Sequence, residues 1–340
     1  MEQKCLSEKV KNIRIPSFGE VRKYVLNICS SSIGVPKGIK RKHVFTYIVK
    51  VDKIYNYVRR ALISNLEVLS KTPLEGFYLE VVKVAGINDY SELVSRLSRR
   101  LRVIDKLFKH YRAKVKSSLD SEEVEKVFRE YVGRVLSIIR RSDKELNRVR
   151  EAIVVLSKTP CFEDVSTIVV AGMPQTGKST FVGKVSSAKP KVSQFPFTTK
   201  DIILGHKVVD GVKIQIVDTP GILDRPLNEL NPIERKAYIA VKYLADLILF
   251  LVDPLETYYS LRSQLKLLSN IINEFGSHKV MVLINKIDSA DAERIKTIKE
   301  MILKEFNEVP TYCISALHGL GLEEVIKDAF KRVNNTRTHT

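Results

Sequence analysis

Apolar positions in the first half of the chain recur at alternating three- and four-residue spacing, which is typical of amphipathic helices. One apolar stripe runs along residues 94–115 and a second along residues 124–153, with a short polar segment between them. Two long stripes joined by a short turn predict an antiparallel helical hairpin, with arms of roughly 40 Å each. Further helices are predicted near residues 42–70 and 75–85. We therefore expect residues 1–160 to form an all-α domain.

The second half has a different pattern, in which short apolar runs alternate with helical segments. The runs are typical of buried strands and lie near residues 166–171, 202–209, 212–217, 247–252, 279–284 and 310–314. This alternation predicts a mostly parallel, six-stranded sheet with helices on both faces and a last helix near residues 322–334. We expect residues 161–340 to form this α/β domain.

Residues 172–179 have the sequence GMPQTGKS, a complete G-x-x-x-x-G-K-S phosphate-binding loop between a predicted strand and a predicted helix. Gly172 and Gly177 permit the backbone angles that turn successive N–H groups toward a phosphate. Lys178 is expected to reach the β- and γ-phosphates, and Ser179 to ligate Mg²⁺. A glycine-rich turn with an exposed lysine is the alternative, which the motifs below disfavour. The other loop residues expected to contact nucleotide are Pro174, Gln175, Thr176 and Thr180.

Two further segments are placed to respond to the γ-phosphate. Asp218-Thr-Pro-Gly221 follows a predicted strand, so the Asp218 carboxylate can bind Mg²⁺ and the Gly221 N–H can approach the γ-phosphate. Phe197-Thr198-Thr199 lies between this motif and the phosphate loop, where a threonine can ligate Mg²⁺ only when the γ-phosphate is present. The residues alone do not separate Thr198 from Thr199.

A third segment predicts which base is bound. Asn285-Lys286-Ile-Asp288 follows an apolar run, and an ionised Asp288 carboxylate can only accept hydrogen bonds. Guanine offers it two donors, N1–H and the 2-amino group, whereas adenine offers an acceptor at N1 and no 2-amino group. Lys286 can lie along the base plane. Ser315, Ala316 and Leu317 can supply a backbone N–H to the guanine oxygen. The predicted ligands are therefore GTP and GDP, with Mg²⁺ held by Ser179, Asp218 and one threonine.

The charge of the chain is unevenly distributed. The formal net charge is +18; residues 1–160 hold 34 Lys and Arg against 18 Asp and Glu, whereas residues 161–340 hold 23 against 21. A basic helical half beside a nearly neutral domain predicts a polyanionic partner. Candidate contacts are the loop Lys37–Lys42 and a stripe of basic residues within the 99–116 segment, made up of Arg99, Arg102, Lys106, Lys109 and Lys116.

Both basic segments have a structural alternative. The stripe is also compatible with a solvated helix face, although its charge is expected to be largely uncompensated, because Asp105 is the only acidic residue along it. Four aromatic residues follow the loop at helical spacing, and we favour packing in the core over stacking on bases for them: Phe45, Tyr47, Tyr55 and Tyr57. RNA contact is thus predicted mainly through the basic side chains.

The remaining composition indicates the compartment. Four cysteines show no C-x-x-C spacing and six histidines do not cluster, which predicts free thiols and no metal site built from protein ligands alone. The N-terminus lacks a signal-peptide pattern, and the longest apolar run, Leu247–Val252, is too short to span a bilayer. We expect a cytoplasmic monomer without membrane association.

Three segments resemble the nucleolar GTP-binding protein 1 family of Obg-related GTPases: Gln194–Lys200, Ile203–His206 and, above all, Asp218–Leu227 with the sequence DTPGILDRPL. The resemblance implies a P-loop GTPase that assists assembly of the large ribosomal subunit and docks on ribosomal RNA through its helical domain. It favours Thr199 over Thr198 as the Mg²⁺ ligand, and Lys178, Thr199 and Gly221 as catalytic residues. Because the chain lacks a long C-terminal extension, it is similar to a compact archaeal member.

The chain departs from related GTPases at two positions. Gln175 stands where the family usually carries an asparagine that can hold potassium in related GTPases, so potassium activation is not expected. Ile222 stands where Ras-like proteins place a water-orienting glutamine, although the family shares this apolar residue. Intrinsic hydrolysis is therefore expected to be slow, with Arg225 or a ribosomal component completing the site. The alternatives are a nucleotide-holding RNA-binding scaffold and, disfavoured by the lack of a lipid anchor, a membrane-associated signalling GTPase.

Overall fold

The computed structural model describes residues 6–163, 165–198 and 201–337. It divides into two compact units, residues 1–157 and residues 158–340, which we describe separately. The first unit is all-α and the second contains one mixed sheet with helices, as the sequence pattern predicts.

The helical unit has eight α-helices in its described part. They are α1 (Leu6–Lys11), α2 (Phe18–Ser30), α3 (Lys42–Val58), α4 (Ser64–Ser70), α5 (Gly76–Val84), α6 (Tyr90–Leu101), α7 (Val103–Ser117) and α8 (Ser121–Lys158). A π-helical turn over Arg59–Ile63 joins α3 to α4, so the helix predicted near residues 42–70 is continuous but contains one wide turn.

The antiparallel hairpin is formed by α6 and α7 against α8. Arg96 and Arg100 of the first arm both pair with Glu145, whereas Tyr111, nearer the connecting turn, lies 3.4 Å from a carboxylate oxygen of Glu130. The first arm is interrupted at Arg102, which the apolar stripe did not predict. Helix α8 has 38 residues and is therefore roughly 57 Å long, more than the predicted length of one arm.

The predicted apolar stripes form the core of this unit. On α8 the side chains of Val124, Tyr131, Val135 and Leu146 are fully buried, with matching burial along α6 and α7. Three of the four aromatic residues after the basic loop pack against this core. Tyr55 stacks on Phe108 at 3.8 Å between ring centroids, Tyr47 lies 5.1 Å from the Phe128 ring, and Tyr57 stacks on Tyr24. The interpretation of these three as core residues is confirmed.

The α/β unit has a seven-stranded sheet in the order β2-β3-β4-β1-β5-β6-β7. The strands are β1 (Thr167–Ala171), β2 (Lys191–Gln194), β3 (Asp201–Val209), β4 (Val212–Asp218), β5 (Leu247–Val252), β6 (Val280–Ile284) and β7 (Thr311–Cys313). Pairing is parallel from β4 to β7, and β3 is antiparallel to both of its neighbours. The prediction of six strands is wrong, because β2 is a short, largely exposed edge strand without an apolar run.

Helices α9 (Lys178–Val185), α10 (Pro232–Leu244), α11 (Leu261–Phe275), α12 (Ala292–Glu305) and α13 (Leu322–Arg337) accompany this sheet. Phe181 and Val182 of α9 and Val325 and Ala329 of α13 share one apolar cluster with alternate residues of β1, β4 and β5. The strand Leu247–Val252 is buried along its whole length. This packing fixes the carboxyl ends of β1, β4 and β6, and the nucleotide motifs follow these ends.

Two further features of the described residues concern the helices and the cysteines. Among the helices of the described residues, none is long and apolar enough to cross a membrane. Cys29 and Cys313 are free thiols, and burial raises the pKa of each. The expectation of free thiols is confirmed for these two cysteines, and Cys5 lies outside the described residues.

Candidate nucleotide site

The phosphate-binding loop has the backbone that its sequence predicts. Gly172, Gln175 and Gly177 all have positive φ angles, of 133°, 64° and 98°. A Cβ atom on Gly177 would lie 2.3 Å from the side-chain nitrogen of Asn285, so glycine is required by both conformation and space. Lys178 opens α9, is 7% exposed, and donates hydrogen bonds to the carbonyls of Gly172 at 2.8 Å and Met173 at 2.9 Å. The loop thus holds its lysine ammonium against its own backbone.

Asp218 and Ser179 lie together beside this loop. Asp218 ends β4, is fully buried, and accepts a hydrogen bond from the Ser179 hydroxyl at 2.5 Å. Its second oxygen, Oδ1, is buried without a hydrogen-bond partner among the described residues, and burial raises the pKa of the carboxyl. A buried carboxylate with an unpaired oxygen beside a hydroxyl fits a hard cation such as Mg²⁺. The third predicted ligand, Thr199, lies outside the described residues.

The segment after Asp218 contains a contact that the sequence did not indicate. The Gly221 N–H donates a hydrogen bond to Oδ2 of Asp224 at 2.8 Å. Oδ1 of the same carboxylate lies 3.2 Å from the Lys178 ammonium, close enough for an ion pair although it lacks hydrogen-bond geometry. Ile222 is buried, and Arg225 pairs with Glu234 at 2.9 Å. Asp224 therefore links the phosphate loop to the D-x-x-G segment.

Asn285 connects three of the predicted motifs. Its side-chain nitrogen donates to the Thr176 carbonyl at 2.8 Å, and its side-chain oxygen accepts from the Ala316 N–H at 2.9 Å. The residue is only 2% exposed. The phosphate loop, the N-K-x-D segment and the Ser315–Leu317 segment are consequently held at one edge of the sheet.

Asp288 is prepared to accept hydrogen bonds. Ser315 donates its hydroxyl to Asp288 at 2.5 Å and Ser289 at 2.7 Å, and these bonds lower the pKa of the Asp288 carboxyl. The carboxylate is therefore ionised at neutral pH. Lys286, which has a positive φ of 62°, pairs with the buried Asp253 at 2.7 Å. Asp253 and Ser289 were not predicted, because neither belongs to a recognisable motif.

The remaining residues predicted to contact the nucleotide lie in the phosphate loop, in the Phe197–Thr198 segment and in the 315–317 segment. Phe197 has a φ of 63°, and the Lys236 ammonium lies 5.8 Å from its ring centroid. Thr198 is half-buried. Pro174 is partly exposed, whereas the side chains of Gln175, Thr180 and Leu317 are open to solvent.

The basic residues of the stripe in the helical unit differ in whether they form an ion pair. Arg102 pairs with Glu67 of α4, and Asp105 with Arg59 of the π-helical turn. The expectation of largely uncompensated charge is therefore wrong at Arg102, because an acidic residue distant in sequence is its partner. Four cations of the stripe are exposed and have no ion pair within the described ranges: Arg99, Lys106, Lys109 and Lys116.

The two basic segments meet in the fold. The Arg41 guanidinium of the 37–42 loop donates to the carbonyl oxygens of Lys116, at 3.2 Å, and Ser118. A cavity of about 570 Å³ lies beside this contact, and Lys109, Arg112 and Lys116 are among its lining residues. Loop and stripe therefore form one continuous basic surface, which we call the 37–116 basic surface.

Comparison with known proteins agrees with this architecture. Residues 37–163 match the nucleolar GTP-binding protein 1 N-terminal helical domain, and residues 167–286 match the 50S ribosome-binding GTPase domain. An uncharacterized protein of Methanocaldococcus jannaschii is 38% identical over 267 residues, which are 75% of each chain. The chain belongs to the nucleolar GTP-binding protein 1 family.

Named members of the family include the nucleolar GTP-binding protein 1 of Drosophila melanogaster, which is 30% identical over 77% of this chain and 41% of its own length. The chain thus spans about two fifths of that relative. A crystal structure described as nucleolar GTP-binding protein 1 of Plasmodium falciparum matches with a TM-score of 0.45 and 28% identity, over 53% of this chain and 92% of that one. The family and the domain match make this a GTP-binding protein of the GTPase class related to ribosome biogenesis factors.

Proposed function

We propose that this protein is a GTP-hydrolysing molecular switch that assists large ribosomal subunit biogenesis and docks on ribosomal RNA through its basic helical unit. The observation that carries the proposal is the Asn285 side chain, which bonds both the phosphate loop and the Ala316 backbone. One residue therefore couples the phosphate end of the site to the base end. The two ends of the proposed site are thereby held in one arrangement, which allows a single nucleotide to contact both.

Recognition of guanine would rest on Asp288. Its carboxylate is already oriented by Ser315 and remains ionised, so it can accept from N1–H and the 2-amino group together. Adenine would leave this acceptor facing another acceptor. We propose that the Ala316 N–H or its neighbours in the 315–317 segment contact the guanine oxygen.

The phosphates and Mg²⁺ would be held by the loop after β1, the start of α9 and the end of the neighbouring strand β4. Lys178 and the N–H groups of residues 172–179 would bind phosphate, while Ser179 and Asp218 would hold the cation, with Thr199 as the proposed third ligand. Bound Mg²⁺ would neutralise charge on the phosphate oxygens. Binding of the cation would also give the buried Asp218 carboxylate a partner for its free oxygen.

We propose that intrinsic hydrolysis is slow. Ile222 is buried and aliphatic, so it cannot orient an attacking water, and Arg225 is held by Glu234. The groups proposed to bind the γ-phosphate are the Lys178 ammonium and the Gly221 N–H, and both are hydrogen-bond donors that cannot act as a base toward an attacking water. A ribosomal component would therefore be needed to raise the rate of GTP hydrolysis. Potassium dependence is not proposed, because Gln175 stands where related GTPases carry the asparagine that can hold potassium.

RNA docking would use the 37–116 basic surface. Exposed ammonium groups without ion pairs bind phosphate without first breaking an intramolecular contact, so their charge is available to an RNA backbone. Each phosphate neutralised releases counterions, which makes such binding strongly dependent on salt. The cavity beside Lys109 and Lys116 adds a concave surface to this face.

A nucleotide-holding RNA-binding scaffold is the second candidate, and the buried Ile222 favours it. Single-turnover GTP hydrolysis with and without purified large ribosomal subunits separates the two. We expect Lys178→Ala to abolish hydrolysis and subunit-stimulated turnover, whereas Lys184→Ala, an exposed lysine on the same helix, should retain both. A scaffold would instead tolerate Lys178→Ala in its biological role.

Docking is tested separately by co-sedimentation with large subunits. The triple substitution Lys106→Ala, Lys109→Ala, Lys116→Ala should weaken sedimentation and reduce its salt dependence, while leaving subunit-free hydrolysis unchanged. Absence of both co-sedimentation and stimulation for the unsubstituted protein would refute the ribosomal proposal.

A further inference from the structure

Asp224 occupies a distinctive position in the nucleotide site. It lies in the segment after Gly221 and is only 7% exposed, although no motif predicts a function for it. Its two carboxylate oxygens face the Gly221 N–H at 2.8 Å and the Lys178 ammonium at 3.2 Å. These are the two donors that, in the proposed function, would bind the γ-phosphate of GTP. The β-phosphate would also contact Lys178, but it would not contact the Gly221 N–H.

We propose that Asp224 determines the preference of the site between guanosine di- and triphosphate, because its carboxylate competes with the γ-phosphate for Gly221 and Lys178. This inference rests on the proposed guanine-nucleotide site. A carboxylate resembles part of a phosphate group in charge and in the spacing of its oxygens. A triphosphate must therefore displace Asp224, whereas a diphosphate can bind with Asp224 in place.

The geometry indicates that this displacement is feasible. The contact with Lys178 is an ion pair without hydrogen-bond geometry, and Lys178 keeps two backbone carbonyls as partners if the carboxylate leaves. A γ-phosphate carries more charge than a carboxylate and has three oxygens, so it can replace both contacts.

Space for the displaced side chain is also present. A cavity of about 440 Å³ adjoins Asp224 and is lined by Gly221, Arg225 and Lys266 among others. Lys266 is exposed and has no ion pair among the residues that the structure describes. Glu229 also lines the cavity and Arg225 is paired with Glu234, so a displaced carboxylate would turn toward Lys266, which limits the cost of releasing it from Lys178.

Direct measurement of two dissociation constants tests the proposal. Titration calorimetry of the full chain with GDP and with the non-hydrolysable analogue GppNHp, both with Mg²⁺, gives the ratio of affinities. We expect Asp224→Asn, which keeps the size but removes the charge, to tighten GppNHp binding about tenfold or more relative to GDP. GDP affinity should change by no more than about threefold. Asp210→Asn, an exposed aspartate in the β3–β4 turn, should leave the ratio unchanged.

The outcomes separate this inference from the function on which it rests. If the unsubstituted protein binds neither nucleotide, the proposed guanine site and the role of Asp224 are both wrong. If it binds GDP but Asp224→Asn leaves the ratio unchanged, only the role of Asp224 is overturned. Asp224→Ser, a smaller uncharged side chain, provides the same comparison should the asparagine variant fail to fold. A shift in both variants supports the competition.

Discussion

Replacement of Asp288 by asparagine tests the guanine site most directly. In the structure Asp288 accepts hydrogen bonds from Ser315 and Ser289 and is ionised, leaving acceptor capacity for the base. Asparagine keeps one oxygen for Ser315, so the local loop should persist. Its amide N–H₂, however, would face the two donors of guanine. The substitution therefore changes recognition with little change in shape.

The magnitude follows from the two hydrogen bonds to a charged group. Each contributes about 1.5–3 kcal/mol, so their loss should weaken GDP binding by about 100-fold at the lower end. Xanthine has a carbonyl in place of the 2-amino group and can accept from the asparagine amide. We therefore expect Asp288→Asn to bind xanthosine diphosphate at least tenfold better than the unsubstituted protein does.

Titration calorimetry with GDP and xanthosine diphosphate measures both effects. Asp291→Asn is the matched control, since Asp291 is exposed at the start of α12 and its side chain caps no backbone N–H. A change of less than tenfold in GDP affinity for Asp288→Asn, with no gain for xanthosine diphosphate, would refute the assignment of Asp288 to the base.

Two further predictions concern stability. Burial raises the pKa of Asp218, so its ionised form destabilises the native state once the pH rises above that pKa. In metal-free, nucleotide-free buffer, Asp218→Asn should raise the free energy of unfolding at pH 7 by about 1 kcal/mol, because it removes a buried charge with an unpaired oxygen. The gain should shrink as the pH falls below the raised pKa; denaturant titrations at pH 7 and pH 4 that show a pH-independent difference would contradict it. In the helical unit, the fully buried Tyr131 hydroxyl has no hydrogen-bond partner among the described residues, and burial raises its pKa. Tyr131→Phe should therefore be neutral or stabilising by up to about 1 kcal/mol, whereas Tyr55→Phe, which removes a bond to Asp105 at 2.9 Å, should destabilise by about 0.5–1 kcal/mol. Equal losses in the two variants, measured by urea unfolding, would show that the buried hydroxyl does have a partner.

Much of the architecture was predictable because helices and buried strands follow from the pattern of apolar residues within one segment. Helical periodicity in the 94–115 and 124–153 segments predicted the hairpin, and apolar runs predicted six of the seven strands. The missed strand, Lys191–Gln194, has a largely exposed, polar sequence and is held only by pairing with β3. Strand pairing of this kind depends on the neighbouring strand β3, and the residues of 191–194 alone give no sign of it.

The nucleotide motifs were predictable for a related reason. Each is a contiguous segment whose residue types follow from the chemistry of phosphate, Mg²⁺ or guanine, and each lies after a strand. The motifs did not predict which hydrogen bonds join one segment of the site to another. The bonds from Asn285 to Thr176 and Ala316 join residues 109 and 31 positions apart.

The sequence by itself thus determined the fold class and the backbone of the phosphate loop, and it predicts the choice of base. Tertiary structure decided that Arg102 is paired with Glu67, that Arg41 joins the two basic segments, and that Asp224 faces Lys178. In each case a charged side chain takes its partner from a segment distant along the chain. Periodicity and motif spacing carry no information about such partners, because they are set by how the elements pack.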